Sequence, residues 1–253
     1  MNEALHDHYA QLADTYDETW AHRPEYLDWM HDRIRRGLRA RPGEWIADIG
    51  GGTGLFARRL LPYATERRPL LCVDPSAAML ARLPRDRRLR PVAATAEQIA
   101  AHGVPLPCDT FDAVLVKEAV HHFTALEETL TGLAGRLADR GRILVVTLPP
   151  KLDYPLFPRA LDRFAAAQPE PARVAAALRG AGLAVTTGTE EFRVLVERDH
   201  WLHLVAHRWM SVLSTFSDAE LRDGLREIAE QHPGPVLEFT DRFAFVLGVA
   251  GTT

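Results

Sequence analysis

From residue 45 onward, short apolar runs alternate with stretches whose apolar positions recur every three or four residues. Residues 45–49, 70–74, 91–94, 111–116 and 142–147 are too short for stable helices and mostly rich in Ile, Leu and Val, so they read as strands. Helices are predicted between them over 55–61, 76–83 and 126–137, with Ser76 placed to cap the second. These strands lack polar alternation, so both faces of each must be covered. A mostly parallel sheet with helices on both sides meets that need. Upstream, Tyr9, Leu12, Ala13 and Tyr16 form one amphipathic stripe. Pro24 interrupts it, and Leu27, Met30, Ile34 and Leu38 form another before the Pro42-Gly43 turn. After Pro149-Pro150 the pattern loosens. A proline-containing connection with a short helix is predicted over 151–170, then a helix over 173–179 closed by Gly180-Ala181-Gly182. A strand over 183–187, a helical region over 199–231 broken near 214–218 and a last strand over 243–249 complete the chain.

Composition narrows the class without changing this outline. At 253 residues with 47% hydrophobic positions, the chain can bury a large core without disulfides. Its two cysteines, Cys72 and Cys108, form neither a C-x-x-C pair nor a zinc spacing, so no metal site is expected and a reducing cytoplasm is. Thirty basic against 34 acidic residues give a net charge of −4, which argues against a nucleic-acid partner. The arginine-rich stretches 33–41 and 82–90 lack interleaved aromatics and read as solvated faces. The first residues do not form a signal peptide, and no apolar run is long enough to span a bilayer, so no membrane partner is expected.

The chemistry is concentrated after the first strand, in Asp48-Ile49-Gly50-Gly51-Gly52-Thr53-Gly54. Glycine there lets the backbone turn sharply and approach a ligand closely. The helix that follows offers free N–H groups and the positive end of its dipole. Asp74 follows Gly54 at the tip of the second strand, where an acid can accept hydrogen bonds from both hydroxyls of a ribose. Loop and acid together predict a nucleoside site at the C-terminal strand ends. Gly52-x-Gly54-x-x-Ala57 also fits a relaxed dinucleotide fingerprint, so an NAD(P)-binding oxidoreductase stands as an alternative.

Asp48-x-Gly50-x-Gly52-x-Gly54 resembles the first motif of the class I S-adenosyl-L-methionine (SAM)-dependent methyltransferases. The similarity runs in order from about residue 44 to 147, and the nearest subgroup has a ubiquinone-methylase-like core. The resemblance implies a Rossmann-like, doubly wound seven-strand sheet with an antiparallel last strand, matched here by residues 243–249. It implies that Asp74 holds the ribose, that Pro75 and Met79 flank the adenine, and that Thr95-Ala96-Glu97 meets the adenine edge. Asp48, Gly50, Gly51, Gly52 and Gly54 belong to the cofactor loop, and Lys117 is placed among the cofactor contacts. An N-terminal helix covering the methionine end is also implied, with Tyr16 as the lid contact and Tyr9 and Trp20 beside it. Two departures stand out. Thr95 replaces a frequent Asp, leaving the adenine amino contact weaker or supplied by Glu97. Lys117-Glu118 replaces small or neutral residues and points to unusual acceptor chemistry.

Methyl transfer from a sulfonium needs positioning above all, and a base only where the acceptor must lose a proton. Glu118, His121 and His122, after the fourth strand, are the catalytic candidates; local packing of a histidine, or a Lys117–Glu118 pair, is the plainer alternative. His200, His203 and His207 share a helix face, which alone gives poor metal geometry. With Trp201 and Trp209 that helix is expected to cap an acceptor pocket, or simply to pack. The expected organisation is a helical lid over 1–42, a SAM-binding core over 43–150, and 151–253 completing the sheet with cap insertions. The expected function is a cytoplasmic SAM-dependent methyltransferase acting on a small-molecule acceptor. A cyclase or lyase that uses SAM on the same fold is a second alternative, and a SAM-binding regulator a third.

Overall fold

The computed structural model describes residues 23–252. Seven strands form one sheet in the order β3-β2-β1-β4-β5-β7-β6. They are β1 (Ile46–Ile49), β2 (Leu70–Asp74), β3 (Leu89–Ala93), β4 (Phe111–Lys117), β5 (Leu137–Thr147), β6 (Ala184–Glu197) and β7 (Val236–Val249). β1 to β5 pair in parallel, whereas β7 runs antiparallel to both β5 and β6. The doubly wound sheet with an antiparallel last strand is therefore present.

Side chains alternate across the central strands into two apolar layers. Ile46, Leu70, Cys72, Leu115 and Leu144 join the layer that contains α1 (Pro24–Leu38) and α2 (Ala57–Leu60). Ala47, Ile49, Leu71, Val114 and Val145 face α4 (Ala96–Ala100), α5 (Leu126–Gly135) and α7 (Pro171–Gly180) on the other side. The short α3 (Ala77–Leu80) follows β2, with Ser76 accepting the Met79 N–H as its cap. Pro24 begins α1, where the second predicted stripe starts, because the first helical position needs no N–H donor. Tyr26, Met30, Ile34 and Leu38 form its buried stripe, so Tyr26 takes the place expected for Leu27. The expected lid residues Tyr9, Tyr16 and Trp20 lie outside the described residues.

Two helices are shorter than the sequence pattern suggests. The segment predicted as helix over 55–61 is α-helical only from Ala57 to Leu60 and then tightens into a 3₁₀ turn, Leu61–Tyr63. Pro62 cannot donate to the carbonyl of Arg58, so the α ladder stops there. α3 ends at Leu80, ahead of Leu83, whose helical conformation Pro84 disfavours.

The larger difference is at the end of the sheet. β6 and β7 are 14 residues each, twice the predicted length for β7 and nearly three times that for β6. Thr147, the last residue of β5, pairs with Ala244, so residues 236–243 pair only with β6 and project beyond the sheet. α6 (Pro158–Ala167), α8 (Arg198–Ala206), a 3₁₀ turn (Ser211–Thr215) and α9 (Asp218–Gln231) make up the predicted helical additions, with Ser217 and Glu220 forming a capping box for α9. None of the described helices is long and apolar enough to cross a membrane.

Arg142 locks α1 to the sheet. Its guanidinium donates to the carbonyls of Leu38, Arg39 and Asp112 and to the Glu44 carboxylate. The side chains of Arg142 and Glu44 are 12% and 15% exposed. Arg142→Met should destabilise the chain by about 2–4 kcal/mol, because it strands Glu44 and the carbonyls at the C-terminal end of α1. Denaturant titration checks this, and a loss under about 0.5 kcal/mol would contradict the role given to Arg142.

Candidate functional site

The site starts at the turn after β1. Gly50, Gly52 and Gly54 all have positive φ, +73°, +55° and +76°. At Gly50 a Cβ would lie 2.3 Å from the Ala119 Cβ, so glycine is what lets the turn press against the end of β4. At Gly52 a Cβ would meet nothing within 4 Å, and this residue lines the cleft. The backbone there forms an open cradle that a side chain would fill. Gly54 instead packs against Leu83 and is not part of the lining.

Two carboxylates hold this turn. Asp48 is 3% exposed, and the Ala57 N–H donates to it. Burial pushes its carboxyl up to about 7, against the pull of Lys117. Asp74 accepts the Gly52 N–H at 2.9 Å and the Ser76 N–H at 2.8 Å, one on each oxygen. The second strand thus delivers its terminal acid straight to the glycine cradle.

From there the cleft crosses the strand ends in sheet order. Asp48, Gly50, Gly51, Gly52, Asp74, Pro75 and Met79 line one part of it. Thr95, Ala96 and Glu97 lie along the β3 side, and Lys117, Glu118, His121 and His122 lie at the end of β4. The enclosed volume is about 270 Å³. Thr95 caps α4 in a box with Gln98. The Glu97 carboxylate accepts from the backbone N–H and hydroxyl of Thr124.

At the end of β4 the chain carries charge into an apolar setting. The Lys117 ammonium sits 5.1 Å from the centre of the Phe56 ring and 5.4 Å from that of Phe243. Burial lowers its pKa, while Glu118, Asp241 and Asp48 pull it back up. Glu118 has φ +52°, a conformation unusual for a residue with a side chain. Its carboxylate accepts the Leu148 N–H at 2.7 Å and bonds the Thr147 hydroxyl. Burial raises its carboxyl to about 7. The His121 and His122 rings lie with centroids 3.9 Å apart and planes tilted by 52°, and burial holds His121 well below the usual histidine value. The His121 Nδ1 atom is buried with no hydrogen-bond partner among the described residues.

The far end is formed by residues that sequence inspection missed. Asp241 on β7 is 2% exposed and accepts the Tyr154 hydroxyl at 2.5 Å. Tyr26, Phe164 and Phe243 wall the same end. Asp241 had a detectable signal: it occupies the inward phase of β7 with Leu237, Phe239 and Phe243. An acid in an apolar phase marks a site, but the predicted strand began only at Phe243. The two tryptophans of the expected cap separate in role. Trp209 lines the cleft, whereas Trp201 is fully buried, donates to the Pro155 carbonyl at 2.8 Å and packs on Phe239. His200, His203 and His207 stack along α8 and its end, and no metal-binding cluster occurs among the described residues.

Known proteins place this arrangement. Residues 47–143 match the family profile of a methyltransferase domain. A ubiquinone/menaquinone biosynthesis C-methyltransferase, UbiE, from Ectopseudomonas mendocina is 28% identical over 170 residues, covering 61% of this chain and 66% of that protein. The UbiE of Paraburkholderia xenovorans is 33% identical over 132 residues, covering 47% and 54%. The chain thus spans just over half to about two thirds of the length of these curated relatives. In three dimensions, a crystal structure described as a putative methyltransferase from an antibiotic biosynthesis pathway of Anabaena variabilis superposes with a TM-score of 0.65 at 19% identity, covering 87% of this chain and 96% of that one. With its glycine turn, strand-end acid and sheet order in agreement with those matches, the chain carries a methyltransferase domain over residues 47–143, of the class I SAM-dependent type.

Proposed function

We propose that the protein binds SAM across the glycine turn and Asp74 and transfers its methyl group to a small molecule held at the far end of the cleft. One observation carries this reading. Asp74 is fixed by Gly52 and Ser76 N–H groups beside a backbone cradle that a Cβ would fill. A carboxylate has about four lone-pair positions, so it can hold the loop and also accept from ribose hydroxyls. When bound, SAM supplies an electrophilic methyl on a positively charged sulfur. The chain's own residues position both partners and exclude water. Gly50 to Gly52 hold the backbone open, while Met79 and Ala96 offer apolar surface for a base. Lys117 and Asp48 lie between the nucleoside end and the acceptor end. Glu118 is the residue best placed to hold or accept a proton, since it lines the cleft with a carboxyl near neutrality. Binding of SAM and of S-adenosylhomocysteine, with no binding of NADPH, supports this reading. Methylthioadenosine among the products would favour the cyclase or lyase alternative.

Three outcomes follow from this assignment. Asp74→Ala should weaken S-adenosylhomocysteine binding by about 1–3 kcal/mol through lost charge-assisted hydrogen bonds; calorimetry showing unchanged affinity would move the ribose elsewhere. Gly52→Val should abolish binding by filling the cradle, with circular dichroism still reporting a folded chain; retained binding would contradict the loop assignment. The third concerns pH. Glu118 and Asp48 have carboxyls raised to about 7, so the fold favours their protonated forms. That contribution is full below about pH 4 and is lost as pH rises through 7. Between pH 5 and 8 the ligand-free protein should therefore lose stability relative to Glu118→Gln, by on the order of 1–3 kcal/mol. Parallel stability curves for the two proteins would refute a protonated Glu118.

A further inference from the structure

The far end of the cleft is both aromatic and acidic. Tyr26, Tyr154, Phe164, Trp209 and Phe243 wall it, and Glu118 and Asp241 face the same space. Lys117 is the only lysine or arginine among the described residues that line the cleft, in a chain that carries 30 such residues. Residues 1–22 contain neither lysine nor arginine, so they can add none. Among the described lining residues, Asp48, Asp74, Glu97, Glu118 and Asp241 face this single ammonium. Lys117 is already shared between Asp48, Glu118 and Asp241. Among the described lining residues, no further lysine or arginine is left over to meet an anionic substrate group.

We infer that the acceptor is an amine on an apolar or aromatic skeleton, seated between Glu118 and the Tyr154–Asp241 pair and methylated on nitrogen. This rests on the methyl-transfer reading above and narrows it to one substrate class. Charge conservation is the physical reason. Amines reach the cleft as ammonium ions, which carboxylates and aromatic faces both attract. In its ionised form, which a carboxyl near 7 populates at neutral pH, Glu118 takes one proton and exposes the nitrogen lone pair. That pair forms the new N–C bond while the bond from methyl to sulfur breaks, and its electrons stay on sulfur. Positive charge passes from sulfur to nitrogen and never leaves the acidic cleft. The product departs as a secondary ammonium ion, and Glu118 returns its proton to water.

A phenolate or carboxylate acceptor would need the opposite surroundings. It would have to shed water beside Glu118 and Asp241, and like charges at short range disfavour its ionised form. Asp241 fits the amine better, because a carboxylate already accepting the Tyr154 hydroxyl can accept an N–H as well.

The test uses the full chain loaded with S-adenosylhomocysteine and reads binding by calorimetry and thermal shift. The probes are matched sets on one skeleton: phenethylamine, 4-ethylphenol and 3-phenylpropionate, then tryptamine, 5-hydroxyindole and indole-3-acetate. Amines should bind at least about tenfold more tightly than their phenol and carboxylate counterparts. Asp241→Asn should erase that preference while leaving S-adenosylhomocysteine affinity within about twofold. Tyr154→Phe keeps the packed ring and should reduce the preference by about threefold, which covers the case of a poorly folded Asp241→Asn. Tighter binding of phenols or carboxylates, no preference, or no binding by any amine overturns the inference. If S-adenosylhomocysteine itself fails to bind, the methyl-transfer reading falls; if it binds without an amine preference, only the amine assignment falls.

Discussion

The stitching of the glycine turn by two carboxylates underlies the rest of the cleft. Asp48 takes the Ala57 N–H at the start of α2, and Asp74 reaches across from β2 to the Gly52 N–H. Backbone groups that a tight turn leaves without intrahelical partners are satisfied in this way, and the loop is fixed relative to two strand ends at once. Gly50 lies close enough to Ala119 to admit no side chain. That approach brings Lys117 and Glu118, at the end of β4, alongside the glycine cradle. Each later feature of the cleft is placed with reference to this turn.

Carboxylates near an apolar wall are expensive to ionise, and the structure offsets that cost with one shared cation. Lys117 lies between two phenyl rings and answers Asp48, Glu118 and Asp241 together. The result is a space with more carboxyl groups than ammonium or guanidinium groups among its described lining residues, set against apolar walls, where a bound cation gains more than it would at the surface. A sulfonium donor and an ammonium product both suit such a space. The positive φ of Glu118 belongs to the same design. The strand turns out of the sheet there, and the side chain is held by Leu148 and Thr147 at the end of β5.

The acceptor end depends on length beyond the sheet. Because β6 and β7 continue past Thr147, Asp241 and Phe243 lie beyond the last β5 pair, where they line the cleft. β2 and β7 are four strand positions apart in the sheet, about 19 Å at the usual strand spacing. The cleft therefore spans from Asp74 to the Tyr154–Asp241 pair, across the ends of the intervening strands. The segment after β5 supplies Tyr154, and the cap supplies Trp209, so the far wall is assembled from three separated stretches of chain.

What the sequence determined by itself is what local physics encodes. Apolar runs without polar alternation gave the parallel strands, because such runs must be covered on both faces. A glycine run between a strand and a helix, with an acid at the next strand tip, marked the cofactor end, because the backbone geometry of that turn tolerates few other residues. Short-range signals also carried Ser76 as a cap. Tertiary structure alone decided what surrounds Glu118 at the far end of the cleft. Asp241, Tyr154, Tyr26 and Glu118 are brought together by strand register, by the overshoot of one ribbon and by the packing of α1 onto the sheet. None of these leaves a mark in a ten-residue window. Trp201 and Trp209 make the same point: eight positions apart in similar surroundings, one is core and the other lines the cleft, because only the finished packing sets which way each ring faces.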